Sequence, residues 1–356
     1  MSLHFHPLRV KSVEADTDEA LVVSFDVPVA LRDDFRFEPG QYLTLRKDVD
    51  GVDLRRSYSI CSGADDGALR VGIRHVPGGV FSGWAQTRLK AGDSIDVIAP
   101  QGHFHTPFET TARRHLLGIA GGSGITPILA IMKTLLAREP FSRFTLIYGN
   151  RSQKSTMFKE ELEDLKNRYL TRLAIFHVFS REDNDAPLAS GRITAEKLAD
   201  IVGPLVDPDG IDLAFVCGPH GMNDAAEAAL RAAGVPAERI RIERFGVPDG
   251  SAPVHRALPG DAAQARITVL RDGLKRDVAF RDGETSILDA MCNAGIDVPY
   301  SCKSGVCSTC RARLLEGRVR MDRNFALEKT DLDAGFVLCC QAHPLTPVVV
   351  LSFDDR

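Results

Sequence analysis

Ala120-Gly-Gly-Ser-Gly-Ile-Thr-Pro127 lies between an apolar run, Leu116–Ala120, and a second apolar segment, Pro127–Arg138. The first run has the length of a buried strand and the second the 3.6-residue periodicity of a helix. From Gly122 the turn reads G-x-G-x-x-P, with proline where a dinucleotide fingerprint carries its third glycine. Proline suits a first helical turn, where its missing N–H costs nothing. The free N–H groups of such a helix start favour a pyrophosphate. Standing alone, the same residues would also serve a tight strand-to-helix connection.

Downstream the alternation continues. Strands at Phe144–Tyr148, Leu173–Phe179 and Leu213–Val216 interleave with helices at Ser155–Leu165, Ala195–Ile201 and Met222–Ala233. That rhythm predicts a doubly wound α/β domain with a parallel sheet over 111–245. Upstream, Leu21–Val27, Gln41–Leu45, Ser57–Ile60 and Ser94–Ile98 are short alternating runs separated by Pro39-Gly40, Pro77-Gly78-Gly79 and Gly92-Asp93. They predict an antiparallel β-barrel or sandwich over 1–110. Residues 246–264, with Pro248, Pro253, Pro259 and three glycines, read as a linker; a flexible coil of that length spans roughly 25 Å. Strands at Arg266–Leu270, Lys275–Phe280, Arg311–Leu315, Phe336–Leu338 and Val348–Phe353 and a helix at Ser286–Asn293 complete a small α+β domain over 265–356.

A net charge of −4 without a Lys/Arg tract argues against nucleic acid as a partner. The opening Met-Ser-Leu-His-Phe-His lacks a basic segment followed by an apolar one, and no apolar run approaches a membrane span. The expectation is a cytoplasmic protein with no membrane partner. Five of the eight cysteines lie between Cys302 and Cys340, and a cytosolic chain of this size needs no disulfides, so metal ligation is the better reading. Cys302, Cys307 and Cys310 are spaced C-x4-C-x2-C, the plant-type [2Fe–2S] signature. Structural zinc sites usually pair their ligands as two C-x2-4-C units, whereas the fourth ligand here comes singly after a long gap. Spacing leaves that ligand open between Cys339 and Cys340. Cys292 reads as core.

Further constellations accompany these. Arg56-Ser-Tyr-Ser59 follows Pro39-Gly-Gln-Tyr42 and precedes Gly78-Gly-Val-Phe-Ser82 and Pro100-Gln-Gly-His-Phe104. An arginine fork suits a phosphate, and glycines let backbone N–H groups approach one. Tyr148-Gly-Asn-Arg151 and Cys217-Gly-Pro-His-Gly-Met222 stand at strand ends, where open α/β sheets bind ligands. Phe179-Ser-Arg-Glu182 follows the third strand; a 2′-phosphate needs a cation and donors, a bare ribose diol a carboxylate.

Together these motifs resemble, over essentially the whole chain, the ferredoxin–NADP reductase-type flavoproteins that carry a C-terminal plant-type ferredoxin domain. The resemblance implies a multidomain fold of flavin-binding barrel, pyridine-nucleotide domain and β-grasp ferredoxin domain. It implies FAD (the family default, since no residue independently reads an adenine) held by Arg56, Ser57, Tyr58, Ser59, His75, Gly79, Val80, Phe81, Ser82 and Phe245. It implies NADPH, with NADH the alternative, at Gly121, Gly122, Gly124, Thr126, Pro127, Arg151, Ser180, Arg181, Cys217, Gly218 and Met222. Ser59, Cys217 and Glu243 become the catalytic set, with Glu243-Arg-Phe245 matching the family's terminal acid and flavin-covering aromatic ring. For the cluster it selects Cys340 beside Cys302, Cys307 and Cys310.

Within that class, Leu54–Cys61, Pro100–Phe104, Leu146–Arg151, Ile242–Phe245 and Gly335–Gln341 look most like the reductase subunits of di-iron phenylacetyl-CoA epoxidases. The implied activity is an NAD(P)H-dependent oxidoreductase, passing electrons through FAD and [2Fe–2S] to an oxygenase of aerobic phenylacetate degradation. Reductases of Rieske-type ring and steroid hydroxylases using NADH share the architecture and give the alternative. Lys303, Arg311, Arg313, Arg318, Arg320 and Arg323 are expected to be available to an acidic patch on the oxygenase.

Overall fold

In the computed structural model, which describes residues 3–182, 186–247 and 258–355, the chain divides into two compact units. One comprises Pro7–Leu54 and Tyr58–Phe245; the other comprises Met1–His6, Arg55–Ser57 and Gly246–Arg356. Most of the expected linker, 248–257, lies outside the described residues.

The N-terminal strands are β1 (Phe5–Thr17), β2 (Ala20–Asp26), β3 (Tyr42–Val49), β4 (Val52–Ser59), β5 (Leu69–Arg74) and β6 (Ser94–Gln101), with one helix, α1 (Val80–Arg88). They form a sheet in the order β4-β3-β6-β1-β2-β5. An Ile60–Val71 bridge, with the Cys61 N–H donating to the Arg70 carbonyl at 2.9 Å, joins the end of β4 to β5 and closes the expected barrel. Inward-facing Leu43, Leu45, Ile60, Val71, Ile73, Ile95 and Val97 fill it. Between β3 and β4 the chain turns on Asp50 and Gly51, both left-handed (φ 55° and 83°), the residue pair that a tight hairpin favours.

The second domain has β7 (His115–Gly121), α2 (Ile125–Arg138), β8 (Arg143–Asn150), α3 (Lys159–Arg168), β9 (Leu173–Phe179), α4 (Ala195–Ile201), β10 (Leu213–Cys217), α5 (His220–Ala232) and β11 (Ile240–Glu243). All pairs are parallel, in the order β11-β10-β7-β8-β9. Every residue of β7 is buried, because helices cover both faces. Leu116 and Ala120 pack with Ile128, Leu129, Met132 and Leu162 of α2 and α3. Leu117 and Ile119 turn to the opposite face, toward Leu198, Ile201, Ala226 and Leu230 of α4 and α5.

The C-terminal domain has β12 (Ala265–Arg271), β13 (Leu274–Phe280), α6 (Ile287–Asn293), β14 (Arg311–Glu316), β15 (Val319–Met321), α7 (Lys329–Asp333), β16 (Phe336–Leu338), β17 (Ala342–Pro344) and β18 (Val348–Ser352). Its mixed sheet runs β13-β12-β18-β14-β16, with β12 and β18 parallel at its centre, and β15 pairs with β17. Ser286 caps α6 by accepting from the Asp289 N–H at 3.1 Å. The buried face of α6 (Ile287, Leu288, Ala290 and Met291) lies in the same core as Cys310, Cys339 and Cys340.

Candidate functional site

Parallel pairing puts Cys217, the last residue of β10, beside Glu243, the last of β11. At that end of the sheet the Ser59 hydroxyl, closing β4, donates to Glu243 Oε2 at 3.3 Å. Glu243 keeps one edge toward solvent while its carboxyl lies deep; burial pushes its pKa up to about 8, and the Ser59 hydrogen bond opposes this only in part. Cys217 is fully buried, and burial, with the Glu243 carboxyl next to it, drives its thiol well above the ordinary range. It is therefore a neutral thiol. The Asn223 side chain donates to the Glu243 carbonyl at 3.1 Å and ties the start of α5 to this corner.

The glycine turn closes against the same corner. A Cβ on Gly124 would stand 2.0 Å from the Cys217 carbonyl oxygen, and one on Gly121 would stand 2.6 Å from Pro219 and 2.8 Å from the Met222 sulfur. The 120–127 and 217–222 motifs thus interlock backbone to backbone. Gly218 lies against Gly121 and Met222. Gly122 alone of this turn is left-handed (φ 53°) and faces the Arg74 guanidinium. Thr126 and Pro127 are buried, and the Thr126 hydroxyl donates to the Ser123 carbonyl at 3.0 Å.

On β4, Arg56 is exposed and Tyr58 half-buried, while Ser57 and Ser59 alternate to the other face. The Tyr58 ring lies 5.6 Å from Phe81. Phe81 is 1% exposed in the barrel core, so anything it offers a ligand comes from its backbone. Gly79 caps α1 and Val80 is exposed beside it. The Ser82 hydroxyl, expected on a phosphate, accepts from the Val76 N–H at 3.1 Å and donates to the Gly79 carbonyl at 3.3 Å, which shapes the glycine loop itself. His75 is half-buried, its N–H donating to the Glu19 carbonyl at 2.7 Å. Phe245 is 45% exposed.

Arg151 forms an ion pair with Glu19, which also meets Arg74 at 3.4 Å. Although burial opposes it, these two guanidinium groups hold the Glu19 carboxyl below its usual range. Glu19 escaped the sequence reading because nothing local marks a turn carboxylate 132 positions from its partner. Ser180 and Arg181 are exposed at the end of β9, tied to the end of β8 through backbone bonds to Asn150 and Arg151.

In the C-terminal domain the loop between α6 and β14 carries Cys302, Cys307 and Cys310, and Cys340 follows β16. The thiols meet pairwise: Cys302 with Cys307 and Cys340, and Cys340 with Cys310. Hydrogen bonds from Cys307 and Cys340, and from the N–H groups of Ser304 and Cys307 at 3.4 Å each, hold the Cys302 thiol well below its ordinary pKa. Burial, and then the neighbouring Cys310 thiol, raise the Cys339 thiol; its N–H donates to the Cys310 carbonyl at 3.2 Å and its carbonyl accepts from Leu288 at 3.0 Å. Among the described residues no three metal-binding side chains converge on a single ion. Four thiols that meet in pairs, with one already favouring the thiolate, fit a two-iron cluster, in which no single point gathers every sulfur. The loop takes an unusual path: Lys303 is left-handed without being glycine (φ 52°), a cost of roughly 1–2 kcal/mol. Its side chain offsets part of this by pairing with Asp289 at 2.8 Å.

Four of the six cations expected to face the oxygenase have acidic partners within the domain. Lys303 pairs with Asp289, Arg311 with Asp331 at 2.9 Å, Arg313 with Asp355 at 3.8 Å, and Arg320 with Asp261 at 2.6 Å and with Asp322. Asp261 and Asp322 precede and follow the strands they brace.

Comparison with known proteins gives three domain matches: an oxidoreductase FAD-binding domain over 7–106, an oxidoreductase NAD-binding domain over 119–228 and a 2Fe-2S iron-sulfur cluster binding domain over 269–345. The chain is 44% identical to a subunit of the 1,2-phenylacetyl-CoA epoxidase of Escherichia coli, over 99% of this chain and 98% of that one. It is 34% identical to the ferredoxin reductase component of 3-ketosteroid-9-alpha-monooxygenase of Rhodococcus rhodochrous, over 97% and 96%. Phthalate dioxygenase reductase shares the fold at a TM-score of 0.58 and 22% identity, over 98% of each chain. No helix among the described residues is long and apolar enough to cross a membrane.

Proposed function

Because the chain belongs to the family of FAD-, pyridine-nucleotide- and [2Fe–2S]-dependent reductase components of oxygenases, we propose that it is the reductase of a di-iron epoxidase acting on phenylacetyl-CoA. The observation that carries this reading is the 44% identity to a phenylacetyl-CoA epoxidase component along the full length of both chains. The steroid monooxygenase reductase, also matched end to end, reaches 34%.

When bound, the flavin takes electrons in pairs from the reduced nicotinamide and releases them singly to the cluster. The chain's own residues bind, orient and tune. Arg56 and the backbone N–H groups at the start of α1 would hold the flavin phosphates, Tyr58 and Phe245 would offer their rings to the isoalloxazine, and the Ser59 hydroxyl would hydrogen-bond it. Cys217, a neutral thiol, would help hold the nicotinamide, and Glu243, neutral below about pH 8 and held by Ser59, would close the pocket. Their part is to hold the two rings in reacting geometry and exclude water. The interlocked glycine motifs carry the nucleotide pyrophosphate at the head of α2, and exposed Ser180 and Arg181 favour the 2′-phosphate of NADPH. Cys302, Cys307, Cys310 and Cys340 hold the cluster.

The test is reconstitution. Purified protein, NADPH, a di-iron epoxidase component and phenylacetyl-CoA are combined, and epoxide is measured against NADPH consumed. Coupled epoxide formation supports the assignment. Consumption of NADPH without epoxide, together with coupled turnover on a Rieske-type hydroxylase, would overturn it.

A further inference from the structure

We propose that the side-chain amide of Gln341 is a tuning and positioning group for the [2Fe–2S] cluster, donating an N–H···S hydrogen bond to Cys340 and raising the cluster's reduction potential. This rests on the reading of Cys340 as a ligand. Gln341 is 2% exposed. Its Nε2 lies 2.9 Å from the Cys340 carbonyl, 3.2 Å from the Lys303 carbonyl and 3.6 Å from the Cys340 sulfur. All three neighbours are acceptors when the sulfur is a ligand thiolate, so the amide nitrogen, not its oxygen, faces them. Two N–H protons meet three acceptors. A thiolate is the charged one, and charge-assisted bonds are the stronger, so ligation draws a proton of this amide toward sulfur.

The surroundings hold the amide in place. A Cβ on Gly305, itself left-handed (φ 78°), would stand 3.1 Å from Gln341 Cγ, so the cysteine loop packs directly on this side chain. The Gln341 N–H donates to the Leu338 carbonyl and its carbonyl accepts from Asp322, each at 2.9 Å. One amide therefore fixes the carbonyl of left-handed Lys303 and reaches the sulfur of Cys340, joining the two stretches of chain that carry the ligands. Donors to cluster sulfurs stabilise the reduced form, which carries one more negative charge, over the oxidised form.

The experiment uses the full-length holoprotein. Gln341→Met keeps the volume and removes the donor. Cluster content is measured as iron and sulfide, and the midpoint potential by a titration followed by electron paramagnetic resonance. At full cluster content the oxidised-to-reduced ratio at a fixed potential is expected to rise on the order of tenfold, about 59 mV downward for a one-electron couple. An unchanged potential with a full cluster overturns the role of Gln341. If the variant does not hold its cluster, wild-type protein carrying 15N at its glutamine side-chain amides decides. A 15N coupling to the reduced cluster in pulsed resonance supports the bond, and no coupling overturns it. A wild-type protein lacking a [2Fe–2S] signal, or a Cys340→Ser variant with wild-type iron and spectrum, would instead overturn the reading of the site.

Discussion

Glu243 is a carboxyl whose burial costs it its charge across the neutral range. With a pKa of about 8 against an ordinary 4.5, the folded chain keeps a proton that the unfolded chain releases, so this group's contribution to stability declines as pH rises from 4.5 to 8. Above about 8 the carboxylate forms beside Cys217, where on the proposed function the positively charged ring of the oxidised nicotinamide would lie. Affinity for the oxidised nucleotide should therefore increase as pH passes through about 8. Glu243→Gln should flatten that dependence and remove its share of the stability loss. Calorimetric titration of both proteins from pH 6 to 9 checks this, and parallel curves would refute it. Glu19 offers a second case, because its carboxylate pairs with Arg151, which on the proposed function assists Ser180 and Arg181 at the 2′-phosphate. Glu19→Gln should release Arg151 and lower KM for NADPH by up to about fivefold, the worth of one partly exposed ion pair, while KM for NADH stays nearly constant. Equal changes for both nucleotides would place Arg151 away from the 2′-phosphate.

At the scale of elements, the close seat of the glycine turn on β10 makes a sharp prediction. Gly124→Ala would force a methyl group to within 2.0 Å of the Cys217 carbonyl. Because the obstacle is backbone, relaxation must move α2 or β10. A loss of roughly 1–3 kcal/mol or more is expected, with nucleotide affinity falling alongside; thermal unfolding and binding at one temperature measure both. A variant as stable as the wild type would mean that the two motifs do not touch. The α/β domain was the most legible part of the chain, because β7 and β10 carry short apolar runs, Leu116–Ala120 and Leu213–Cys217, each followed directly by glycine. Elements that went unread lack such patterns. β1 runs for 13 residues, but its exposed and half-buried positions do not alternate cleanly, and its register shifts twice against β2. β15 and β17, three residues each, exist only through each other. Ser82 and Gln341 show the same limit at single positions, since a motif names a residue without saying which atom its hydroxyl or amide meets.

For the molecule as a whole, the division into two units separates two kinds of stability. The barrel and α/β domain rest on their own apolar cores. In the C-terminal unit Cys310 and Cys340, the proposed cluster ligands, lie inside the one large core cluster described there. Ligand binding to the native state adds directly to folding free energy, and for a metal site built from buried thiols that addition is a large share of a small domain's total. Without its cluster this unit keeps buried thiols in its core, and the left-handed Lys303 is braced by Asp289 and Gln341. Calorimetry of the holoprotein should show two transitions, as expected for units with separate cores. Removing the iron with a reductant and chelator should lower one of them by on the order of 10–20 °C and leave the other within a few degrees. Removing the flavin should do the reverse. If extraction of iron moved both transitions together, the two units would have to share one cooperative core, and the division would be wrong.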